Sequence, residues 1–207
     1  MAIISNAVTI ADAGAFSVGL GDQVLIKTIT ASNAATVSFL NGSDSVVFDG
    51  TYPFYKFVFI NIHPVTDNQN FEFQVDTGTN TSFNQTMTTS VFRAYHDEDD
   101  SGTAVEINAG NDQAQGTGFQ DISDGIGNGN DESGAGELLL FDPSNSTYIK
   151  HFMAQMTDYN GNNHNLNVFT AGYVNTTTAL TRVRFKFGSG NIDSGTIKLY
   201  GIKGAAN

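Results

Sequence analysis

The chain has no cysteine and no tryptophan. Without cysteine there is no disulfide, no thiolate metal ligand and no cysteine nucleophile, although 207 residues suffice to bury a core that needs no such staple. Without tryptophan, the strongest stacking platform for a cation or a sugar ring is missing. Basic residues are scarce as well. Nine Lys and Arg stand against 21 Asp and Glu, a formal net charge of −12, so most of the surface would repel a phosphate backbone and nucleic-acid binding is not expected. Such a surface suits solubility at high ionic strength, where screening weakens self-repulsion. No stretch approaches the roughly 18 apolar residues of a membrane span, and Met1 to Ser17 lacks the basic and continuous apolar regions of a secretory signal. Membrane insertion is not expected.

What the chain does contain is Phe, Val, Ile, Thr and Asn, with 22 Gly, a composition that favours half-buried pleated sheet and frequent turns. Short apolar runs recur at Val24 to Thr30, Thr36 to Leu40, Val46 to Phe48, Phe54 to Ile62, Phe71 to Val75, Ser90 to Tyr95, Glu137 to Phe141, Tyr148 to Met156, Leu166 to Tyr173, Thr181 to Phe187 and Thr196 to Ile202. With no helical periodicity between them, they predict an all-β, antiparallel β-sandwich of jelly-roll-like type. In Phe54 to Ile62 both alternating sets are largely apolar, which places that strand centrally with both faces covered. In Thr181 to Phe187, Val183, Phe185 and Phe187 face one way and Arg182, Arg184 and Lys186 the other. The core is expected to include Phe57, Phe59, Ile60, Phe152, Phe185 and Leu199.

Two segments break the pattern. Asp97 to Gly136 is a Gly/Asp/Asn-rich loop excursion too long for an ordinary hairpin, with one weak strand candidate at Thr103 to Ile107. Residues 1–21 are rich in small side chains; they read as an N-terminal arm on a neighbouring subunit, as an edge strand at Val8 to Ile10, or as a frayed terminus. Residues 22–207 read as a single sandwich domain.

From about residue 25 onward the chain resembles a β module of marine bacteriophage genomes, found in tail-fibre-like and other virion structural proteins. The stretches that carry the resemblance are TYPFYKFVFINIHPVTDNQNFEFQV (51–75), VFRAYH (91–96), DQAQGTGFQ (112–120), LLLFDPSNSTYIKHF (138–152) and AGYVNTTTALTRVRFKFGSGNIDSGTIKLYGIK (171–203). The resemblance implies a β-sandwich located on the virion, assembled in the host cytoplasm, and carries no catalytic residues. Long fibres usually have a coiled-coil or β-helical shaft, and this chain has neither heptads nor repeats. A short spike, a tip or a capsid-bound ornament therefore fits better than a long fibre.

Candidate chemistry is sparse. His63, His96, His151 and His164 are dispersed, with no HExxH and no close pair, so spacing does not define a zinc site. The carboxylates Asp97, Asp99, Asp100, Asp121, Asp124 and Asp131 lie in one excursion and are candidate calcium ligands, since calcium takes six to eight oxygens in flexible geometry. The bland alternative is a solvated loop, and no EF-hand spacing occurs. The DYNGNNHN loop (158–165) holds an Asn-Gly pair typical of a hairpin turn. It is also a candidate sugar-binding rim through Tyr159, His164 and Tyr173. No nucleophile elbow is present; GSGNID (188–193) links two strands rather than a strand and a helix.

Charge is unevenly placed. Arg182, Arg184, Lys186, Lys198 and Lys203 fall in the last two strands, and twelve of the 21 acids fall between Asp97 and Asp142. Copies could meet through that separation, with Arg182, Arg184 and Lys186 at the subunit interface of a homo-oligomer such as a trimer. The charges could equally cancel within the monomer. The expected function is a non-enzymatic, surface-displayed tail fibre or spike component contacting other virion proteins and a host surface glycan or receptor. Alternatives are a capsid head decoration protein and a free carbohydrate-binding module. No cofactor is expected beyond the candidate calcium.

Overall fold

A computed structural model describes residues 22–204 and, of the N-terminal stretch, the backbone of three short strands. Those strands, β1 (Ile3–Ser5), β2 (Val8–Asp12) and β3 (Ala15–Phe16), pair antiparallel with one another. The expected arm at residues 1–21 otherwise lies outside the described residues. Then follow β4 (Gln23–Ala34), β5 (Val37–Leu40), β6 (Phe54–Pro64), β7 (Phe71–Thr77), β8 (Met87–Asp97) and β9 (Thr103–Ile107). The last seven are β10 (Ala114–Gly116), β11 (Gln120–Asp121), β12 (Gly134–Phe141), β13 (Lys150–Asn160), β14 (His164–Val174), β15 (Leu180–Phe187) and β16 (Ile192–Ile202).

The chain is all-β, and two unequal antiparallel sheets pack face to face. The larger has nine strands in the order β10-β8-β14-β13-β12-β6-β16-β4, with β9 also on β8; the smaller has four, β11-β7-β15-β5. Their inner faces meet in a phenylalanine core. Phe185 of β15 lies 5.2 Å from both Phe57 and Phe59 of β6, ring centroid to centroid, and 5.8 Å from Phe71 of β7. Edge-to-face rings of this kind add about 0.5–1.5 kcal/mol per pair beyond the area they bury. Phe39, Phe73, Phe152 and Leu199 complete the same cluster.

Two expectations are corrected. β6 is central, between β12 and β16, yet only one of its faces is fully covered. Tyr55, Phe57 and Phe59 point inward, an extra residue breaks the register against β12, and Asn61 adopts φ 50°. Beyond this bulge the phase flips, so Ile62 and Pro64 are buried and Ile60, expected in the core, stands 38% exposed. Inserting one residue into a period-two strand has this effect. Val46 to Phe48 is buried but is not a strand; Val46 and Phe48 plug the core from a loop, with Phe48 edge-on to Tyr55 at 5.3 Å.

The excursion is ordered into the sandwich. The small sheet has too few strands to cover β8 and β14, and the excursion takes that place. β11 adds to the edge of β7, Ile122 N–H donates to the Phe71 carbonyl, and Ile122 and Ile126 are buried in the main core. Beneath it a second apolar cluster forms from Val91, Leu166 and Val168 with Tyr95. The outer face of the small sheet is also covered, by loops around Phe83 and Phe119. Buried Gln74 donates to the carbonyls of Gln85 and Gly118, and buried Asp76 accepts from Phe83 N–H at 2.9 Å.

Candidate functional site

One end of the sandwich gathers the loops that follow β6, β8, β13 and β15 and precede β12. Strand phase decides which side chains enter it. On β8, Val91, Arg93 and Tyr95 share the inward phase, and on β14 they pair with Thr170, Val168 and Leu166. A guanidinium in a core-facing position needs partners. Arg93 is paired with Asp124 from the excursion and Glu106 from β9, and its guanidinium carbon lies 5.8 Å from the Tyr95 ring centre. Tyr95 in turn stacks on His164 with centroids 5.8 Å apart and planes 21° apart. His164 Nε2 lies 3.2 Å from Asp97 Oδ1, directly across the ladder.

Asn160 braces the other wall. Its Nδ2 donates to the Asp124 carbonyl at 2.8 Å, and its Oδ1 accepts from Asn162 N–H at 2.8 Å. Below it Asp158, which is buried, accepts the Asp124 N–H at 3.0 Å through one oxygen while the other has no hydrogen-bond partner among the described residues. Burial, aided by the nearby Asp124 charge, pushes the Asp158 carboxyl up to about 7. Burial and Glu72 do the same for Asp121, also to about 7.

The result is a cleft of about 280 Å³ lined by Arg93, Tyr95, Asp97, Asn160, Asn162, His164 and Leu166. Next to it, a polar cleft of about 300 Å³ runs along Asp97 to Ser101 and Asn162 to His164. Two aromatic rings, an apolar floor and convergent amide, carboxylate and guanidinium groups form the kind of surface that grips a polyhydroxylated ligand. The arrangement is less suited to acyl transfer. Ser101 Oγ donates to Asp97 Oδ2 at 2.9 Å, so the carboxylate stands between serine and His164, and the imidazole has no hydroxyl to deprotonate.

Of the predicted ligand-binding residues, only His164 enters this cleft. Tyr159 and Tyr173 lie on the outer face of the large sheet. Tyr159 pairs with Asn165 and Tyr173 with His151, at opposite ends of β14, roughly 27 Å apart at about 3.4 Å per residue. The Tyr159 hydroxyl is bonded to Glu98, which raises its pKa.

The six candidate calcium carboxylates are spread out. Asp97 faces His164, Asp99 caps the turn at Ser101 N–H, Asp100 sits 3.0 Å from His96, Asp124 is taken by Arg93, Asp121 is on β11, and Asp131 lines a separate cleft with His63 and Asp193. Among the described residues no group of three or more His, Cys, Asp or Glu is placed to hold a metal ion.

The proposed interface cations are engaged within the chain. Arg182 donates to the Asn80 carbonyl, Arg184 lies 3.8 Å over the Phe83 ring, and Lys186 pairs with Glu72 at 2.8 Å and sits 4.8 Å over Phe119.

Arg93, Tyr95, Asn160 and Asn162 escaped sequence reasoning. The available signal was phase: Arg93 falls on the same side of its strand as Val91, where a charge demands an explanation. No known family model, no curated protein and no solved structure matches the chain.

Proposed function

We propose that this is a non-enzymatic virion protein, a short tail fibre or spike component displayed as a homo-oligomer, that contacts a host surface glycan through the loop-end cleft. The observation that carries the binding reading is the meeting of Tyr95, His164, Arg93, Asp97, Asn160 and Asn162 in one cleft on a rigid sandwich. Binding diversity is tolerated where loops are held by a scaffold, and here four loops are. The test is a glycan array with the full chain, followed by titration of any hit against His164→Ala. Binding that requires His164 supports the reading, and a blank array removes it.

A specific observation favours a second reading, a head decoration protein. The outer face of the large sheet carries a patch at its β9 end: Phe92 stacks on Phe169 at 4.7 Å, and Val105, Ile107 and Met153 are 75%, 73% and 54% exposed. Apolar area of this kind suits a partner surface such as a capsid lattice. Copy number and position on purified particles separate the two. A few tail-clustered copies indicate host contact, and even spread over the head indicates decoration.

A further inference from the structure

Every sheet edge has backbone N–H and C=O groups that another strand can satisfy. Three of the four edges here end in short pieces. The large sheet closes on one side with β9 and β10, of five and three residues, and the small sheet ends in β11 and β5, of two and four. The fourth edge differs. β4 has 12 residues, and among the described residues its only ladder partner is β16.

Its composition lacks the usual protections. Within Gln23–Ala34 there is no proline and a single charge, Lys27, which leans toward Asp44 at 3.7 Å. A bulge interrupts the register near Leu25 and Lys27, and Asn33 has φ 47°, but between them Lys27 to Ser32 pairs with Leu199 to Ser194 without a break. That stretch alternates regularly. Thr28, Thr30 and Ser32 are exposed, and Ile29 and Ala31 are turned inward.

We infer that two copies of this chain associate through β4, strand against antiparallel strand about a two-fold axis, extending the large sheet across the dimer. A second copy fits this edge for two reasons. An antiparallel strand paired with itself about a residue near Ile29 or Thr30 sets threonine or serine opposite threonine, and isoleucine opposite isoleucine or alanine. Such β-branched pairs stabilise cross-strand contacts. Lys27 never faces Lys27 in these registers. Charge also selects this edge. The excursion, which holds most of the acids, lies on the β8 and β9 side, seven ladder steps from β4, about 34 Å at ~4.8 Å per strand. Copies with net charge −12 therefore meet where the acids are farthest away. The pairing is independent of the glycan reading, leaves the loop-end cleft open on both copies, and makes the unit two-fold rather than three-fold.

The test uses the full chain, measured by sedimentation velocity over a wide concentration range. Wild type should run at twice the chain mass, and Thr28→Lys/Thr30→Lys, which places four added charges across the axis, should halve it with an unchanged circular dichroism spectrum. Because the chain has no cysteine, Thr30→Cys supplies a second measurement in an otherwise wild-type fold. It should form a disulfide-linked dimer under mild oxidation, whereas Val105→Cys on the opposite edge should not. A monomeric wild type, a double-lysine variant that stays dimeric, or cross-linking stronger at position 105 than at position 30 would overturn the inference.

Discussion

Asp158→Asn isolates one buried group whose protonation is tied to the fold. In the native state burial holds the Asp158 carboxyl at about 7, against an ordinary value of 3.8. Between those values the folded chain retains a proton that the unfolded chain releases, so this group stabilises the fold in acid. That contribution fades as pH rises through about 7. For a shift of this size, moving from about pH 5 to about pH 8 removes roughly 2.5 kcal/mol, a large part of a typical domain's ~5–15 kcal/mol.

Asparagine keeps the shape and the oxygen that accepts the Asp124 N–H, and it cannot ionise. The wild-type curve also contains every other carboxylate, so the diagnostic quantity is the difference between variant and wild type. Urea unfolding at the two pH values should show Asp158→Asn gaining on wild type by about 2.5 kcal/mol at the higher one. A difference that stays constant with pH would refute the claim that Asp158 is protonated near neutrality.

Phe185→Ala should cost about 3–5 kcal/mol in chemical unfolding, because the ring contacts Phe39, Phe57, Phe59 and Phe71 at once. Gly136→Ala should destabilise by about 1–3 kcal/mol or prevent folding, since its Cβ would lie 2.1 Å from the Gln155 carbonyl oxygen and 2.8 Å from Met156 Cα, both backbone atoms. His164→Ala should weaken any glycan found on the array by about tenfold, near 1.4 kcal/mol, with the melting temperature little changed. Because the excursion carboxylates do not converge, EDTA and added Ca²⁺ should leave the melting temperature unchanged in calorimetry.

How far each feature could be read from sequence depended on how local its cause was. Period-two alternation placed Val183, Phe185 and Phe187 inward correctly because side-chain phase is a property of a single strand. It could not tell that Phe83 and Phe119 would cover Arg184 and Lys186, since those residues come from distant loops. Ile60 was misplaced because its exposure depends on a bulge one residue later, at a left-handed Asn61. In the site, His164 was found through its Asn-rich turn. Its partners Tyr95 and Asp97 reach it only through the pairing of β14 with β8, a contact between residues nearly 70 positions apart. Tyr159 and Tyr173 drew attention by residue type alone, and strand phase removed both from the cleft.

The excursion explains why core and cleft are not separable. Ile122 and Ile126 are held in the main core, and between them Asp124 presents its carboxylate to Arg93, its N–H to Asp158 and its carbonyl to Asn160. Any change that lifts this segment exposes the apolar inner face of β8 and β14 and also removes three groups that shape the cleft. Variation tolerated by selection should therefore avoid Arg93, Asp124, Asp158 and Asn160. It should concentrate at the exposed tips, Asp99, Asp100 and Asn162 to Asn163, which meet solvent without supporting the core. A cleft with a fixed floor and variable tips can change its ligand while the sandwich beneath it stays the same.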